Sequence, residues 1–373
     1  MKRGLNMLWS KGGALRFCSV LLLSMAALAI TVAPAQAQAQ SEQSFYKGKT
    51  INMAVGGGPG GGYDLYARFM IPHYQRAIPG NPRFVAQNHI GAGTLRAANF
   101  LYEVAAPDGT HIGTVGGGTA TAELFKTKGI RFDPRKYVWI GSLNSEVGLV
   151  LAYHTQPFEK FTDLLERPMI VGGGGPTSGN VIFPLVLNRV LGTKFQIVAG
   201  YGSTGEIALA IERGEVQGTG SYHYSSIISS KPDWIPKKEV KVLAQLALVK
   251  HPKFPDVPHV PELAKTDEQR EVLELVFARQ QMGRPFLAPP KTPDNVAKIL
   301  RTSFNKMLTD KQFLADAEKR RIDLTLPMAG EEIHELIERL YKRPAQVVEK
   351  AIAASDTSAY RKKGKKKKKK KSE

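Results

Sequence analysis

Four glycine-rich stretches are the parts of this chain whose composition could do chemistry. Val55-Gly56-Gly57-Gly58-Pro59-Gly60-Gly61-Gly62-Tyr63-Asp64 follows the apolar run Thr50–Val55 and precedes a helical pattern. Val171-Gly172-Gly173-Gly174-Gly175-Pro176-Thr177-Ser178-Gly179-Asn180 and Gly200-Tyr201-Gly202-Ser203-Thr204-Gly205 repeat that arrangement, and Val115-Gly116-Gly117-Gly118-Thr119 follows the strand starting at His111. A turn without side chains lets a ligand come close to backbone N–H groups. The helix N-terminus that follows adds a partial positive charge, so an anionic group is the natural guest. Thr177 and Ser178 add hydroxyl donors at the start of one such helix. In open α/β sheets, loops at the carboxyl ends of strands are where ligands bind.

Several other chemistries fail on spacing. Gly56-x-Gly58-x-x-Gly61 fits the dinucleotide fingerprint only formally, because six of the seven positions 56–62 are glycine. No acidic residue closes a second strand about twenty residues on, as the ribose contact requires. A Gly-Lys-Ser/Thr triphosphate loop is absent, and Ser203 directly follows Gly202, so no G-x-S-x-G elbow exists. Histidines 73, 89, 111, 154, 223, 251, 259 and 334 show neither HExxH nor paired-ligand spacing. These patterns predict no metal and no cofactor. His223, within Ser221-Tyr222-His223-Tyr224, reads equally as a ligand contact and as a packed histidine. On alternating strand geometry Tyr222 and Tyr224 face one way, as a cleft wall, and His223 the other.

The elements that must position these loops are legible as an α/β alternation. Strands are predicted at 50–55, 111–115, 138–140, 148–153, 169–171, 195–198 and 240–248, in largely parallel sheets. Leu95, Ala98, Leu101 and Tyr102 mark one helical face after Thr94, a candidate N-cap. Thr266-x-x-Gln269 is a capping box, and Val296, Ile299, Leu300, Phe304 and Met307 keep a helical period after Thr292-Pro293. Pro72 falls eight residues into the helix expected from Asp64, which predicts a kinked or short helix there.

At 373 residues a single core is too small an answer, and two lobes are expected. The first 39 residues have the layout of a secretory leader. Lys11 and Arg16 close a basic region, an apolar stretch runs from Phe17 to Val32, and small-x-small sites follow at 33–39. That places the mature chain in the periplasm, with cleavage near 35–39. Cys18, the only cysteine, falls within the leader, so disulfides, thiol nucleophiles and cysteine-ligated metals are excluded from the mature chain.

The net charge of +19 sits largely at the two ends. Without Lys2, Arg3, Lys11 and Arg16, the ten basic residues of 361–371 and Glu373, 38 basic residues face 32 acidic ones. The body is only mildly basic, and no nucleic-acid partner is expected. Residues 360–373 are predicted to be a disordered lysine-rich tail.

The order and spacing of several segments resemble the substrate-binding proteins of tripartite tricarboxylate transporters, the Bug family of periplasmic solute receptors. The segments are FYKGKTINMAVGGGPGGGYDLYAR, QNHIGAGTLRAANFLYEVAAPDGT, GSTGEIALAIERGEVQG, LALVKHPKFPDVPHVPELA and GRPFLAPPKTPDNVAKIL, and the resemblance covers nearly all of residues 45–355. It implies a two-domain, type II periplasmic-binding-protein-like α/β fold with a ligand cleft between the domains. Domain 1 would comprise 45–142 plus 265–355, and domain 2 would comprise 143–264. It further implies a non-enzymatic monomer that closes on a small carboxylate, a di- or tricarboxylate or related organic acid, and passes it to inner-membrane transporter subunits. The ligand contacts implied are Gly60, Gly61, Gly62 and Tyr63, then Thr177 and Ser178, then Gly202, Ser203 and Thr204. Gly118, Thr119 and Tyr222 complete the expected site. Tyr63 stands where the family has a threonine, and would narrow the pocket or stack on a flat ligand. An exported carboxylate-processing enzyme, or an envelope protein that binds polyanions through the lysine tail, remain as alternatives.

Overall fold

The computed structural model describes residues 45–174 and 178–358. The leader, Thr177 and the lysine-rich tail lie outside the described residues.

Two sheets carry the chain. The first contains β1 (Thr50–Val55), β2 (Arg83–Asn88), β3 (His111–Thr114) and β4 (Val138–Ser142), with β10 (Pro285–Ala288) and β11 (Met328–Ala329). Its order is β11-β4-β10-β3-β1-β2. The second contains β5 (Gly148–Tyr153), β6 (Met169–Gly173), β7 (Phe195–Ala199), β8 (Gly218–His223) and β9 (Val240–Leu246), in the order β7-β6-β8-β5-β9. Helices of nine or more residues are α1 (Gly62–Ala77), α2 (Leu95–Glu103), α3 (Gly179–Leu191), α4 (Thr204–Glu212), α5 (Asp267–Phe277), α6 (Asp294–Leu308), α7 (Lys311–Lys319), α8 (Gly330–Tyr341) and α9 (Ala345–Ala354).

Each sheet holds a parallel three-stranded block, β2-β1-β3 and β7-β6-β8. Beside each block lies an antiparallel strand that arrives from the other lobe, β10 in the first sheet and β5 in the second. The sheets are therefore mixed rather than largely parallel, because a strand that crosses between lobes enters from the opposite end. Helices cover both faces of the first sheet, as a parallel block requires. Ile51, Met53 and Val55 of β1 are buried with residues of α1 and α6, while Ala54 is buried with Leu95, Ala98 and Leu101 of α2.

Helix α1 runs through Pro72 to Ala77 without ending. The lost backbone hydrogen bond is outweighed by its buried face, which includes Tyr66, Phe69, Met70 and Tyr74. Tyr66 also donates its hydroxyl to the Asp323 carbonyl at 3.0 Å and Tyr74 to that of Leu300 at 2.8 Å. The Thr266 cap holds as expected, with its hydroxyl accepting from Gln269 N–H at 3.2 Å. Helices α5 and α9 pack on each other and on α3, and Arg189 of α3 donates to the Ala354 carbonyl at 2.7 Å.

Among the described residues two segments join the sheets, 143–147 and the stretch leading into β10, and they run side by side. Leu143 N–H donates to the Arg284 carbonyl at 3.1 Å, Gly283 N–H to that of Asn144 at 3.0 Å, and Glu146 N–H to that of Gln280 at 2.7 Å. A two-strand strap of this kind is a hinge geometry.

Candidate functional site

A cavity of about 710 Å³ opens between the two sheets. It lies where each parallel block meets its antiparallel neighbour, at the carboxyl ends of β1, β3, β6 and β8, the position expected for a ligand in this architecture. The expected residues Gly62, Tyr63, Gly118, Thr119, Ser178 and Thr204 line it. Gly60, Gly61, Gly202, Ser203 and Tyr222 do not.

The five outliers have internal work. Gly60 N–H donates to Asp64 Oδ2 at 2.9 Å and Gly61 N–H to the Gly58 carbonyl at 3.1 Å. Gly202 N–H donates to Glu206 Oε2 at 2.8 Å, and the Ser203 hydroxyl caps α4 by accepting from Glu206 N–H at 3.2 Å. The Gly60 amide is thus held by the loop's own aspartate, which Asn88 and Arg68 brace at 3.0 and 2.8 Å. Tyr222 is buried against Trp234, and its hydroxyl donates to the Thr204 carbonyl at 3.3 Å. Tyr222 and Tyr224 do share a side, but it is a buried apolar cluster and not a cleft wall, even though β8 ends at His223 and a short helix begins at Tyr224. His223 is the residue of this trio that faces the cavity.

The first turns of α1, α3 and α4 do point into the cavity. Gly62, Gly179 and Thr204 open these helices and line it. First-turn N–H groups have no intrahelical partner, and their dipoles favour an anion. Thr94 contributes differently from the expected cap. Its φ is 78°, and its hydroxyl accepts from Gly116 N–H at 2.9 Å, holding the loop after β3. Thr119 is buried, and its hydroxyl has no hydrogen-bond partner among the described residues.

Sequence reasoning missed the charges of the site. Arg284 lies under the cavity floor at the hinge, 2% exposed, and pairs with the fully buried Glu146 at 3.2 Å. It also donates to the Ser225 hydroxyl at 2.5 Å, and its guanidinium lies 5.0 and 4.8 Å from the ring centres of Tyr63 and Tyr66. The absent side chain of Gly62 makes room for it, since a Cβ there would fall 2.9 Å from Arg284 Nη2. Burial acts to raise the Glu146 carboxyl, but His223, Arg284 and Ser225 together hold it below the usual carboxylate range. His223 stands 3.7 Å from Glu146. Burial, aided by the two arginines and opposed by Glu146, pushes its pKa down to about 4, so the ring is neutral at neutral pH.

Arg279 has no such partner. Among the described residues it makes no ion pair with a carboxylate. Its guanidinium stacks 4.9 Å from the Phe183 ring centre and borders Gly118, whose Cβ would fall 3.0 Å from Arg279 Nη1. With Arg284 neutralised by Glu146, Arg279 leaves a positive charge in the cavity that the first residues of α1, α3 and α4 also line. Ser225 shares its hydroxyl with Glu146 and Arg284 rather than with His223, so these residues do not form a nucleophile–base pair. Among the described residues no group of three His, Cys, Asp or Glu gathers to hold a metal ion.

The sequence matches no protein-family model and no curated protein. The structure is similar to several solved ones. MatC from Rhodopseudomonas palustris, solved with bound malate, superposes with a TM-score of 0.62 at 22% identity, over 80% of this chain and 99% of that one. The periplasmic binding protein BugD gives 0.63 at 20% identity, over 83% and 98%. An R. palustris protein solved with adipate gives 0.61 at 17% identity, over 81% and 97%. The fold is that of a periplasmic binding protein. In this periplasmic-binding-protein fold the hinge and the cavity share residues, because Gly283 and Arg284 line the cavity while their backbone belongs to the strap.

Proposed function

We propose that this chain is a periplasmic receptor of the tripartite tricarboxylate transporter type. It would close lobes 45–142 plus 265–355 and 143–264 on a small carboxylate, and deliver that ligand to inner-membrane transporter subunits. The observation that carries the reading is Arg279, a guanidinium without a carboxylate partner that shares its cavity with helix N-termini at a two-strand hinge. A half-buried cation lining a cavity calls for an anion from outside the chain, and a planar guanidinium suits a carboxylate. Malate in MatC and adipate in the R. palustris neighbour occupy proteins of the same fold. Hydrogen bonds from first-turn N–H groups and from the Thr119 hydroxyl would complete recognition, and closure would exclude water.

Calorimetric titration with mono-, di- and tricarboxylates tests the reading. A carboxylate should bind with one-to-one stoichiometry and be recovered unchanged, and Arg279→Gln should weaken it at least tenfold, in line with the loss of a charge-assisted hydrogen bond. Turnover of the ligand, or indifference to Arg279→Gln, would refute it.

A further inference from the structure

The cavity is larger than a small anion held at the half-buried Arg279 would fill. About 710 Å³ lies in the range of roughly 300–1,000 Å³ that encloses a drug-sized ligand, and a short diacid held at Arg279 would leave much of it wet. The remaining wall is an arm beside the anion end. Its apolar lining is Ala122 and Phe125, which follow the loop after β3, with Ile182 of α3, Val276 of α5 and Ile352 of α9. Thr121, Thr127, Ser355 and Asp356 also line the cavity. Val276 and Ala122 are buried, while Phe125, Ile182 and Ile352 are half-buried. The arm and the anion end are continuous, since Val276 stands one turn before Arg279 and Ile182 one turn after Ser178. Lys126 and Lys128 also line the cavity and are exposed to solvent.

We infer that the ligand is a monocarboxylate with an extended apolar body, its carboxylate at Arg279 and its hydrocarbon chain or ring along the Phe125–Ile182–Val276–Ile352 arm. This rests on the carboxylate reading above and narrows it. A second carboxylate placed in the arm would lose its hydration against aliphatic side chains without a buried counter-charge. A methylene placed there gains from leaving water.

The test is a calorimetric series on the purified protein with butyrate, hexanoate, octanoate and 3-phenylpropionate, set against malate and adipate. Affinity should rise about three- to fourfold per methylene from butyrate to octanoate. Octanoate should bind at least tenfold tighter than adipate or malate. Ile182→Asn should remove most of the gain for octanoate and leave butyrate unchanged, and Ile352→Ser gives the same comparison where Ile182→Asn fails to fold. A flat chain-length series, or malate or adipate binding as tightly as hexanoate, overturns the apolar-body inference and leaves the carboxylate reading standing. Binding of none of the six acids overturns both.

Discussion

Glu146 and Arg284 sit on the two different crossings between the sheets, and their side chains meet at 3.2 Å with both buried. The ion pair therefore ties one strand of the hinge to the other beneath the cavity. Removing one partner of a buried pair leaves an uncompensated charge, a loss of about 3–5 kcal/mol. Glu146→Ala should lower the unfolding free energy by that order in urea titrations. The double variant Glu146→Leu/Arg284→Met should lose clearly less, because it removes both charges. Equal losses in the two variants would show that the pair does not act as a unit.

His223 makes stability depend on acid. Its folded pKa, about 4, lies below the ordinary imidazole value near 6.5, so the unfolded chain binds more protons between those limits. The stabilising contribution is fully present above pH 6.5 and disappears as pH falls to 4. The shift corresponds to about 3 kcal/mol. Unfolding measured from pH 7.5 to 4 should show this slope, and His223→Asn should flatten it.

Much of the scaffold was readable from residue patterns, and the reasons differ by element. β1, β5 and β9 are near-continuous apolar runs, which buried strands must be. β2 alternates between exposed and half-buried positions at a sheet edge and β8 is Gly-Thr-Gly-Ser-Tyr-His, so neither carries the apolar signal, and β10 is an apolar run of only four residues that begins with a proline. The glycine loops located the correct edge of both sheets. They did not reveal which amides are taken internally, because that depends on Asp64 and Glu206 folding back four residues. Arg279 and Arg284 stood in the plain stretch Ala278-Arg279-Gln280-Gln281-Met282-Gly283-Arg284, whose only signal is two arginines flanking a glycine ahead of an apolar strand. Their importance comes from the hinge bringing them beneath loops more than 150 residues away, which spacing along the chain cannot show.

Glycine is needed at some loop positions and not at others. A Cβ on Gly117 would lie 2.3 Å from the Arg279 carbonyl oxygen and 2.6 Å from that of Met282, both backbone atoms of the strap. A Cβ on Gly58 would meet only Ile90 Cδ1 at 3.9 Å. Gly117→Ala should therefore destabilise by about 1–3 kcal/mol through forced backbone shifts and should also weaken ligand binding. Gly58→Ala should stay within about 0.5 kcal/mol of the parent. Thermal unfolding and calorimetry on the two variants decide the matter, and similar behaviour of both would contradict the packing described here.

Asp64 separates two roles for the first glycine loop. If the loop binds ligand only through the first turn of α1, its Gly60 amide serves to fix that turn, and Asp64 is the residue that holds it. Its carboxylate accepts from Gly60 N–H, Arg68 and Asn88 while nearly buried. Those hydrogen bonds outweigh the effect of burial and hold its pKa below the usual carboxylate value, so its contribution exists above the unfolded pKa and is lost as pH falls through the folded one. Asp64→Ala should cost about 1 kcal/mol of stability at neutral pH through its lost hydrogen bonds, since Gly60 and Arg68 are exposed and water can replace the carboxylate there, and should weaken carboxylate binding through a loosened loop. Asp64→Asn keeps one acceptor oxygen and should fall between the parent and Asp64→Ala in both measurements. Tighter ligand binding by Asp64→Ala would mean that the released Gly60 amide is itself a ligand donor, and the loop would have to be reassigned.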